Sequence, residues 1–255
     1  MMSGMITRRA LLTGGAAAGG GLALSGCAPI TADGNFGDTI LETGNWLSYR
    51  VHRLIGSNSL AREYSDSELS PVFRTNGNTL PDSVGYQKLA QEGFANWKLR
   101  IDGLVEQPKS YGLSELQAMP TRSQITRHDC VEGWSAIGKW TGVQLGRVLD
   151  ETRPRPNARY VVFHCADRFG AMNYYESIDL IDAYHQQTIL AYAMNGDVLP
   201  IGHGAPIRLR VERQLGYKHA KYIMRIELAE SLLGIGAGKG GYWEDSSGYD
   251  WYAGI

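Results

Sequence analysis

Residues 127–134 carry the side chains with the most distinctive chemistry, and they read Arg-His-Asp-Cys-Val-Glu-Gly-Trp. A histidine, two carboxylates and a thiol in so short a stretch can bind a metal or move protons. The thiolate of Cys130 is the soft type of ligand that a high-valent transition metal takes. A lone cysteine at the end of a strand is more often a small core residue. The segment alone therefore leaves both a metal ligand and a core position open.

The residues that follow Cys130 resemble a known metal-binding segment. Cys130 precedes Val-Glu-Gly-Trp-Ser, and residues 139–142 add Lys-Trp-Thr-Gly. This succession resembles the bacterial molybdoenzymes of the sulfite-oxidase superfamily, and among them the periplasmic methionine-sulfoxide reductase catalytic subunits. The resemblance implies a mononuclear molybdenum cofactor (molybdopterin) with Cys130 as catalytic metal ligand. It also implies oxygen-atom transfer on a small-molecule or methionine-sulfoxide-type substrate, and an α+β fold with a mostly β core.

Two further segments extend the resemblance in the order that the family has. Residues 73–78, Phe-Arg-Thr-Asn-Gly-Asn, stand where the family has an Arg/Asn-rich cofactor loop, which implies a cofactor contact for Asn76. Residues 199–209 resemble the segment that anchors the cofactor, which implies that His203 and Arg208 contact the pterin phosphate. A guanidinium is well suited to this, since its planar fork donates two parallel hydrogen bonds to a phosphate.

The C-terminal half supplies the remaining site residues that the resemblance implies. Residues 216–221 resemble the loop that holds the same phosphate, which assigns cofactor contacts to His219, Ala220 and Lys221. Cys165 falls where related proteins place a small polar residue beside the cofactor. Residues 241–244 with Tyr249 loosely resemble the region that delivers an active-site tyrosine in the sulfite oxidases, so Tyr249 is expected in the substrate pocket.

Alternatives remain for the cysteines and for the substrate. In an oxidising compartment Cys130 and Cys165 can form a disulfide, and a zinc site with His128 and His164 is conceivable, although the spacings match no common zinc pattern. Residues 78–81, Asn-Thr-Leu-Pro, replace the Tyr-Glu pair of the reductase subfamily. A sulfite dehydrogenase, or a metal-free lipoprotein binding module on the same fold, is therefore the alternative to a sulfoxide reductase.

The N-terminus is typical of an export signal. Arg8 and Arg9 precede an apolar run rich in Gly and Ala, as in twin-arginine signals, and Leu-Ser-Gly-Cys at residues 24–27 resembles a lipobox. We expect residues 1–27 to direct export to the periplasm, with a membrane tether through lipidated Cys27. A plain secretory signal is the alternative. The apolar run is shorter than the roughly 20 residues that a spanning helix needs.

Composition limits the partners. With 25 Lys and Arg against 26 Asp and Glu, the formal net charge is −1, so the chain has no long-range field to attract nucleic acid. The sequence lacks a C-x-x-C-H haem attachment motif. Electrons must then be exchanged with a separate partner, for which a membrane cytochrome is the expected type.

Hydrophobic patterning predicts the elements that position these residues. We expect a tether and helical turns over residues 28–70 and one molybdopterin-binding domain over 71–255. Strands are predicted at residues 97–102, 124–130, 160–163, 188–194, 207–211 and 222–228. Helices are predicted at residues 114–119, after a cap at Thr141, and from a cap at Ser177.

Overall fold

The computed structural model describes residues 34–56 and 58–255, so the predicted export signal and lipobox lie outside the described residues. The chain divides into two compact units, one ending at Val51 and the other comprising residues 52–255. The boundary falls inside helix α1, Gly34–Gly56, which contains the predicted helical turns. In the described ranges, no helix combines the length and the apolar character needed to cross a membrane.

The second unit is built mainly from ten strands with short helices between them. The strands are β1 (Lys98–Gly103), β2 (Lys109–Gly112), β3 (Thr121–Cys130), β4 (Trp134–Gln144), β5 (Tyr160–Phe169), β6 (Met172–Asp179), β7 (Ile189–Met194), β8 (Asp197–Val198), β9 (Arg208–Arg210) and β10 (Ile223–Ala229). The helices are α2 (Val84–Gln91), α3 (Leu113–Ala118), α4 (Leu145–Asp150), α5 (Leu180–Ala183) and α6 (Tyr242–Ser247), with 3-10 turns at Asp66–Glu68, Ile201–His203 and Gly216–Lys218. The α+β prediction with a mostly β core is confirmed.

The strands form two sheets. Sheet I has the order β2-β1-β10-β5-β6, and sheet II has the order β3-β4-β7-β8, with β9 paired to β7. Strand β10 runs parallel to β1 and antiparallel to β5. The predicted alternation of β1 holds as far as Ile101, since Leu99 and Ile101 are fully buried while Lys98 and Arg100 are exposed, but Asp102 is buried as well. Ile101 lies opposite Ile226 of β10, which joins the two strands inside the main core.

Two predicted helix caps are wrong. Thr141 lies within strand β4, where its hydroxyl pairs with that of Ser123 across the β3–β4 hairpin. Helix α4 begins later, after Gln144. Ser177 is a buried residue of β6, and the cap of α5 is Asp179, whose carboxylate accepts from the backbone N–H of Asp182 at 2.8 Å. In both places the ladder of a long hairpin outweighs the local preference of Ser and Thr for caps.

Candidate functional site

One cavity of about 190 Å³ gathers residues from distant parts of the second unit. Of the nine predicted site residues, all of which the structure describes, five line this cavity and four do not. Those that line it are Asn76, Cys130, His219, Lys221 and Tyr249. Those outside its lining are Cys165, His203, Arg208 and Ala220. The chain therefore brings the predicted cysteine, the predicted lysine and the predicted tyrosine to one place.

Cys130 is placed by the tight turn between β3 and β4. It is the last residue of β3 and lies opposite Trp134, and its carbonyl accepts from the N–H of Gly133 at 3.0 Å. Gly133 has a φ of +84°, which glycine adopts without strain. The thiol is partly buried, and burial raises the pKa of Cys130. A thiol in this setting stays protonated unless a cation such as a metal stabilises the thiolate.

Cys165 is a core residue. It is 3% exposed, and burial raises the pKa of its thiol well above the usual value. Cys130 and Cys165 are both free, so the structure contradicts a disulfide between them. No group of three or more His, Cys, Asp or Glu residues capable of holding a metal occurs in the described ranges, and His164 instead contacts Glu227 at 2.9 Å. The zinc alternative therefore finds no support.

Arg208 is a buried cation outside the cavity lining. It is 1% exposed and stacks over Trp140, with its guanidinium carbon 5.0 Å from the ring centroid. One terminal nitrogen donates to the carbonyl of His203 at 3.0 Å, and the other lies 3.5 Å from the carbonyl of His219. Its Nε is buried without a hydrogen-bond partner. Burial, with Arg210 nearby, lowers the pKa of Arg208 to about 9.

Lys221 is a second buried cation, on the cavity wall. Its ammonium donates to the carbonyls of Asn76 and Asn78, each at 2.6 Å, and to that of Gly202 at 3.1 Å. It thereby joins residues 76–78 to the Ile201–His203 turn. Burial, followed by repulsion from Arg208, lowers the pKa of Lys221 to about 7.

These two cations fit an anionic cofactor. In the part of the chain that the structure describes, Arg208 and Lys221 form no ion pair with a carboxylate, whereas Arg210 next to them is paired with Glu212. An uncompensated buried charge costs several kcal/mol. A phosphate beside them would supply the compensating negative charge. It would also accept charge-assisted hydrogen bonds from the guanidinium and the ammonium.

Three histidines surround this positive region and supply neutral donors or acceptors. His128, His203 and His219 each have one buried ring nitrogen without a hydrogen-bond partner. Burial lowers the pKa of all three rings, and the positive charges of neighbouring side chains lower it as well. For His203 the two causes together bring the pKa to about 4. The rings are therefore neutral at physiological pH and can donate or accept at the free nitrogen.

Gly216 allows close packing beside Cys130. A β-carbon at this position would lie 2.6 Å from Nε2 of His128 and 3.1 Å from the carbonyl oxygen of Asp129. Gly216 also lines the cavity. Only glycine fits between this turn and the end of β3.

Aromatic side chains form the opposite wall of the cavity, and most of them were not predicted. Trp243 stacks on Tyr249 at 5.9 Å, and Tyr217 meets Tyr249 edge-on at 5.0 Å between ring centroids. Phe169 and Tyr174 complete the wall, and the Tyr174 hydroxyl donates to the carbonyl of Tyr217 at 2.6 Å. The Gly-Tyr-Trp-Glu segment and Tyr249 indicated this wall in the sequence, whereas Phe169 and Tyr174 lie on strands β5 and β6 without a distinguishing pattern.

A buried ionic triad attaches this aromatic segment to the rest of the site. Lys218, fully buried, contacts Glu176 of β6 at 2.5 Å and Glu244 of α6 at 2.6 Å. One ammonium between two carboxylates leaves a net negative charge, and burial raises the pKa of Glu176. The triad joins the Gly216–Lys218 turn, which contributes Gly216 and Tyr217 to the cavity, to the helix that carries Trp243.

Comparison with known proteins identifies the family. Residues 72–232 match the family described as the oxidoreductase molybdopterin binding domain. The chain belongs to this family. The predicted resemblance to molybdopterin-dependent oxidoreductases of the sulfite-oxidase type is thereby confirmed, and with it the class of enzyme and the molybdopterin cofactor.

The chain is also similar in sequence to three proteins that are named as methionine-sulfoxide reductase subunits. The chain is 38% identical over 247 residues to the "Putative protein-methionine-sulfoxide reductase subunit YedZ1" of Azospira oryzae, an alignment that covers 97% of this chain and 87% of the relative. It is 35% and 37% identical to the protein-methionine-sulfoxide reductase catalytic subunits MsrP of Ralstonia nicotianae and Xanthomonas campestris pv. campestris. Those two alignments cover 52% and 53% of this chain but only 44% and 46% of the relatives' lengths.

A solved structure supports the fold. The sulfane dehydrogenase SoxCD from Paracoccus pantotrophus matches with a TM-score of 0.50 and 22% identity, over 54% of this chain and 39% of that chain. At this level of identity the similarity concerns the arrangement of strands and helices alone.

Proposed function

We propose that this chain is the catalytic subunit of a molybdopterin-dependent reductase that removes the oxygen atom from a sulfoxide of the methionine-sulfoxide type. The observation that carries the proposal is the meeting of Cys130 with Lys221 and an aromatic wall at one cavity. The names of the relatives from Azospira, Ralstonia and Xanthomonas support the choice of a sulfoxide.

Different residues of the site would bind the metal and the phosphate of the cofactor. The Cys130 thiolate would ligate molybdenum, while Arg208 and Lys221 would bind the pterin phosphate, with the unpartnered nitrogens of His203 and His219 beside them. Asn76 would add a contact from the cavity lining. The backbone N–H and carbonyl of Ala220 are both hydrogen-bonded within the protein, and Ala220 and Cys165 pack in the core. When bound, the cofactor supplies the two-electron redox change that oxygen-atom transfer requires.

The chain itself orients the substrate. The aromatic rings of Trp243, Tyr249 and Phe169 line the cavity, and the first two are stacked on each other. Such a surface suits the methyl and methylene groups of a thioether, while a sulfite dianion would lose its hydration against aromatic rings. This favours the sulfoxide over sulfite, which is the second candidate substrate.

The test measures metal and turnover in the same preparations. Protein made in a host that synthesises molybdopterin should contain molybdenum and reduce methionine sulfoxide with an artificial electron donor, and it should oxidise sulfite poorly. Cys130→Ser should lose the metal and the thiolate-to-molybdenum absorption while its circular dichroism stays unchanged. Cys165→Ala is the matched control, since it removes a thiol that does not line the cavity. Full activity in Cys130→Ser would contradict the proposal, as would a metal-free wild type, which would favour a binding module.

We also propose that the protein is exported to the periplasm and tethered to the membrane through lipidated Cys27, where a membrane cytochrome supplies its electrons. Arg8 with Arg9, and the Leu-Ser-Gly-Cys sequence before Ala28, support this proposal. Replacing both arginines with lysine should retain the precursor in the cytoplasm, and Cys27→Ser should release a soluble product. Normal export of the double-lysine variant would indicate the general secretory route.

A further inference from the structure

The strand that carries Asp167 is irregular at the cavity. Its pairing with β6 is interrupted between His164 and Arg168, and its pairing with β10 is interrupted between Ile223 and Arg225. As a result Cys165, Ala166 and Asp167 are all buried, although alternate residues of a regular strand would face opposite sides. Irregularities of this kind redirect side chains beside active sites. Here the irregularity places the Asp167 carboxyl on the cavity that Cys130 also lines.

The Asp167 carboxyl is poorly compensated as an anion. The residue is 3% exposed, and one oxygen accepts a hydrogen bond from the Asn78 side chain at 3.2 Å. The other oxygen, Oδ1, is buried without a hydrogen-bond partner, and Asp167 forms no ion pair within 4 Å among the described residues. A protonated carboxyl would turn this oxygen into a hydrogen-bond donor.

The groups that face Asp167 offset its burial only in part. In the described part of the chain Lys221 is the one cation among them, and its charge favours the anion. The others are Cys165 on the same strand, Tyr174 on β6, Tyr222 before β10 and Tyr86 on α2, and burial raises the pKa of each of these four. Burial raises the pKa of Asp167 to about 6, and the Asn78 hydrogen bond and the Lys221 charge lower it only in part. An anionic cofactor beside Lys221 would offset the lysine charge and raise the pKa of Asp167 further.

The other acids near the cavity are less suited to proton delivery. Glu132 is exposed at the mouth and accepts from the Trp134 indole at 3.0 Å. Glu176 and Glu244 do not line the cavity and are held by Lys218. Asp167 combines burial, a cavity position and a free oxygen.

We propose that Asp167 is a catalytic acid that delivers a proton to the oxygen leaving the sulfoxide, an assignment that rests on the proposed function. Reduction of a sulfoxide takes two electrons and two protons, and it breaks the sulfur–oxygen bond to give a thioether and water. The electrons come from the reduced cofactor, which a one-electron carrier reloads. The Asp167 O–H bond breaks as a new O–H bond forms on the departing oxygen, and the carboxylate is then reprotonated from solvent at the cavity mouth. The second proton comes from solvent directly.

The test uses the holoenzyme with Asp167→Asn, which keeps an oxygen to accept from Asn78 but carries no acidic proton. Asp197→Asn, which replaces an exposed carboxyl at the start of β8, is the matched control. Two quantities are measured at pH values on either side of the Asp167 pKa: kcat for methionine-sulfoxide reduction, and the infrared band of a protonated carboxyl. Molybdenum content is measured in each preparation, so that loss of cofactor is not mistaken for loss of the acid.

The expected result is a fall in kcat of about 10²-fold or more for Asp167→Asn, with molybdenum retained. The wild type should lose activity as the pH rises through the pKa of the acid, and the variant should not show this dependence. The protonated-carboxyl absorption of the wild type should be unchanged in Asp197→Asn and should lose the Asp167 contribution in Asp167→Asn, and Asp167→Glu should recover part of the activity.

Three results would overturn the assignment and are distinguishable. A wild-type kcat and pH profile in Asp167→Asn would refute the acid role while sulfoxide reduction stands. A protonated-carboxyl absorption at acidic pH that is the same in the wild type and in Asp167→Asn would show that Asp167 holds no proton to give. A molybdenum-loaded wild type that reduces no sulfoxide would refute the proposed function itself, and the assignment with it.

Discussion

Replacing Arg208 with methionine separates the contribution of the guanidinium to the fold from its contribution to the cofactor. Methionine retains most of the unbranched side chain but carries no charge and no N–H donor. In the cofactor-free protein, burial of the guanidinium costs several kcal/mol. This cost is offset by two hydrogen bonds to backbone carbonyls and by stacking on Trp140, a contact worth up to about 2 kcal/mol when desolvated.

These opposing terms nearly cancel, so Arg208→Met should change the free energy of unfolding of the cofactor-free protein by less than about 2 kcal/mol. The cofactor-bound protein should behave differently. A phosphate held by two donors loses about 1.5–3 kcal/mol for each charged hydrogen bond. Since about 1.4 kcal/mol corresponds to a factor of ten, the affinity for the cofactor should fall by about 10²–10⁴-fold. Arg208→Lys should lose part of this, because an ammonium keeps the charge but not the planar fork.

The assay compares the molybdenum-to-protein ratio with urea denaturation of cofactor-free and loaded protein. Arg100→Met, which replaces an exposed arginine of strand β1, is the control. Full molybdenum in Arg208→Met would show that the guanidinium does not hold the phosphate. A loss of more than about 3 kcal/mol in the cofactor-free protein would show that Arg208 serves mainly to stabilise the fold.

Three further predictions concern other parts of the site. Gly216→Ala should lower cofactor content and the melting temperature, because its β-carbon would lie 2.6 Å from the His128 ring, and molybdenum analysis with calorimetry checks both. The pKa of Lys221 is lowered to about 7 in the fold, so above that pH the unfolded chain binds a proton that the folded chain does not. The free energy of unfolding of the cofactor-free protein should therefore rise from about pH 7 to about pH 10, and denaturation across this range should find that Lys221→Met abolishes the rise. Lys218→Met should destabilise the protein by about 3–5 kcal/mol, since it leaves two carboxylates buried without a cation; an unchanged denaturation midpoint would contradict the structural role of the triad.

The sequence predicted the strands better than the helices. Alternating or continuous apolar runs correctly indicated β1, β5, β7 and β10, because these strands are half or fully buried and their patterns follow from burial. The strand β4 was missed, since Gly138 and Gly142 interrupt its pattern. Both glycines are there because neighbouring groups come close, the Phe73 ring at 3.0 Å and the Leu190 carbonyl at 2.1 Å from an added β-carbon. Such requirements depend on tertiary neighbours and leave no local signal.

Site residues could be predicted from the sequence where they belong to a recognisable motif. Cys130, Lys221 and Tyr249 were recognised by resemblance, and the cavity brings them together. Asp167 was not predicted, since its position depends on an interruption of pairing with two neighbouring strands. The sequence also did not predict that Arg208 has carbonyl groups and no carboxylate as hydrogen-bond partners. A sequence does not show which buried charges lack a counterion.

The central position of β10 has a consequence for how the protein folds. This last strand of the chain lies between β1 and β5, and it pairs with β1 across more than a hundred residues of sequence. During synthesis, sheet I cannot close until residues 223–229 have emerged from the ribosome, and until then β1 and β5 each present an unpaired edge. Topologies dominated by such distant pairings fold slowly, and their open edges invite aggregation. Nascent chains of this protein should therefore depend on chaperones until residues 223–229 have been made, and fragments that end before β10 should accumulate as aggregates.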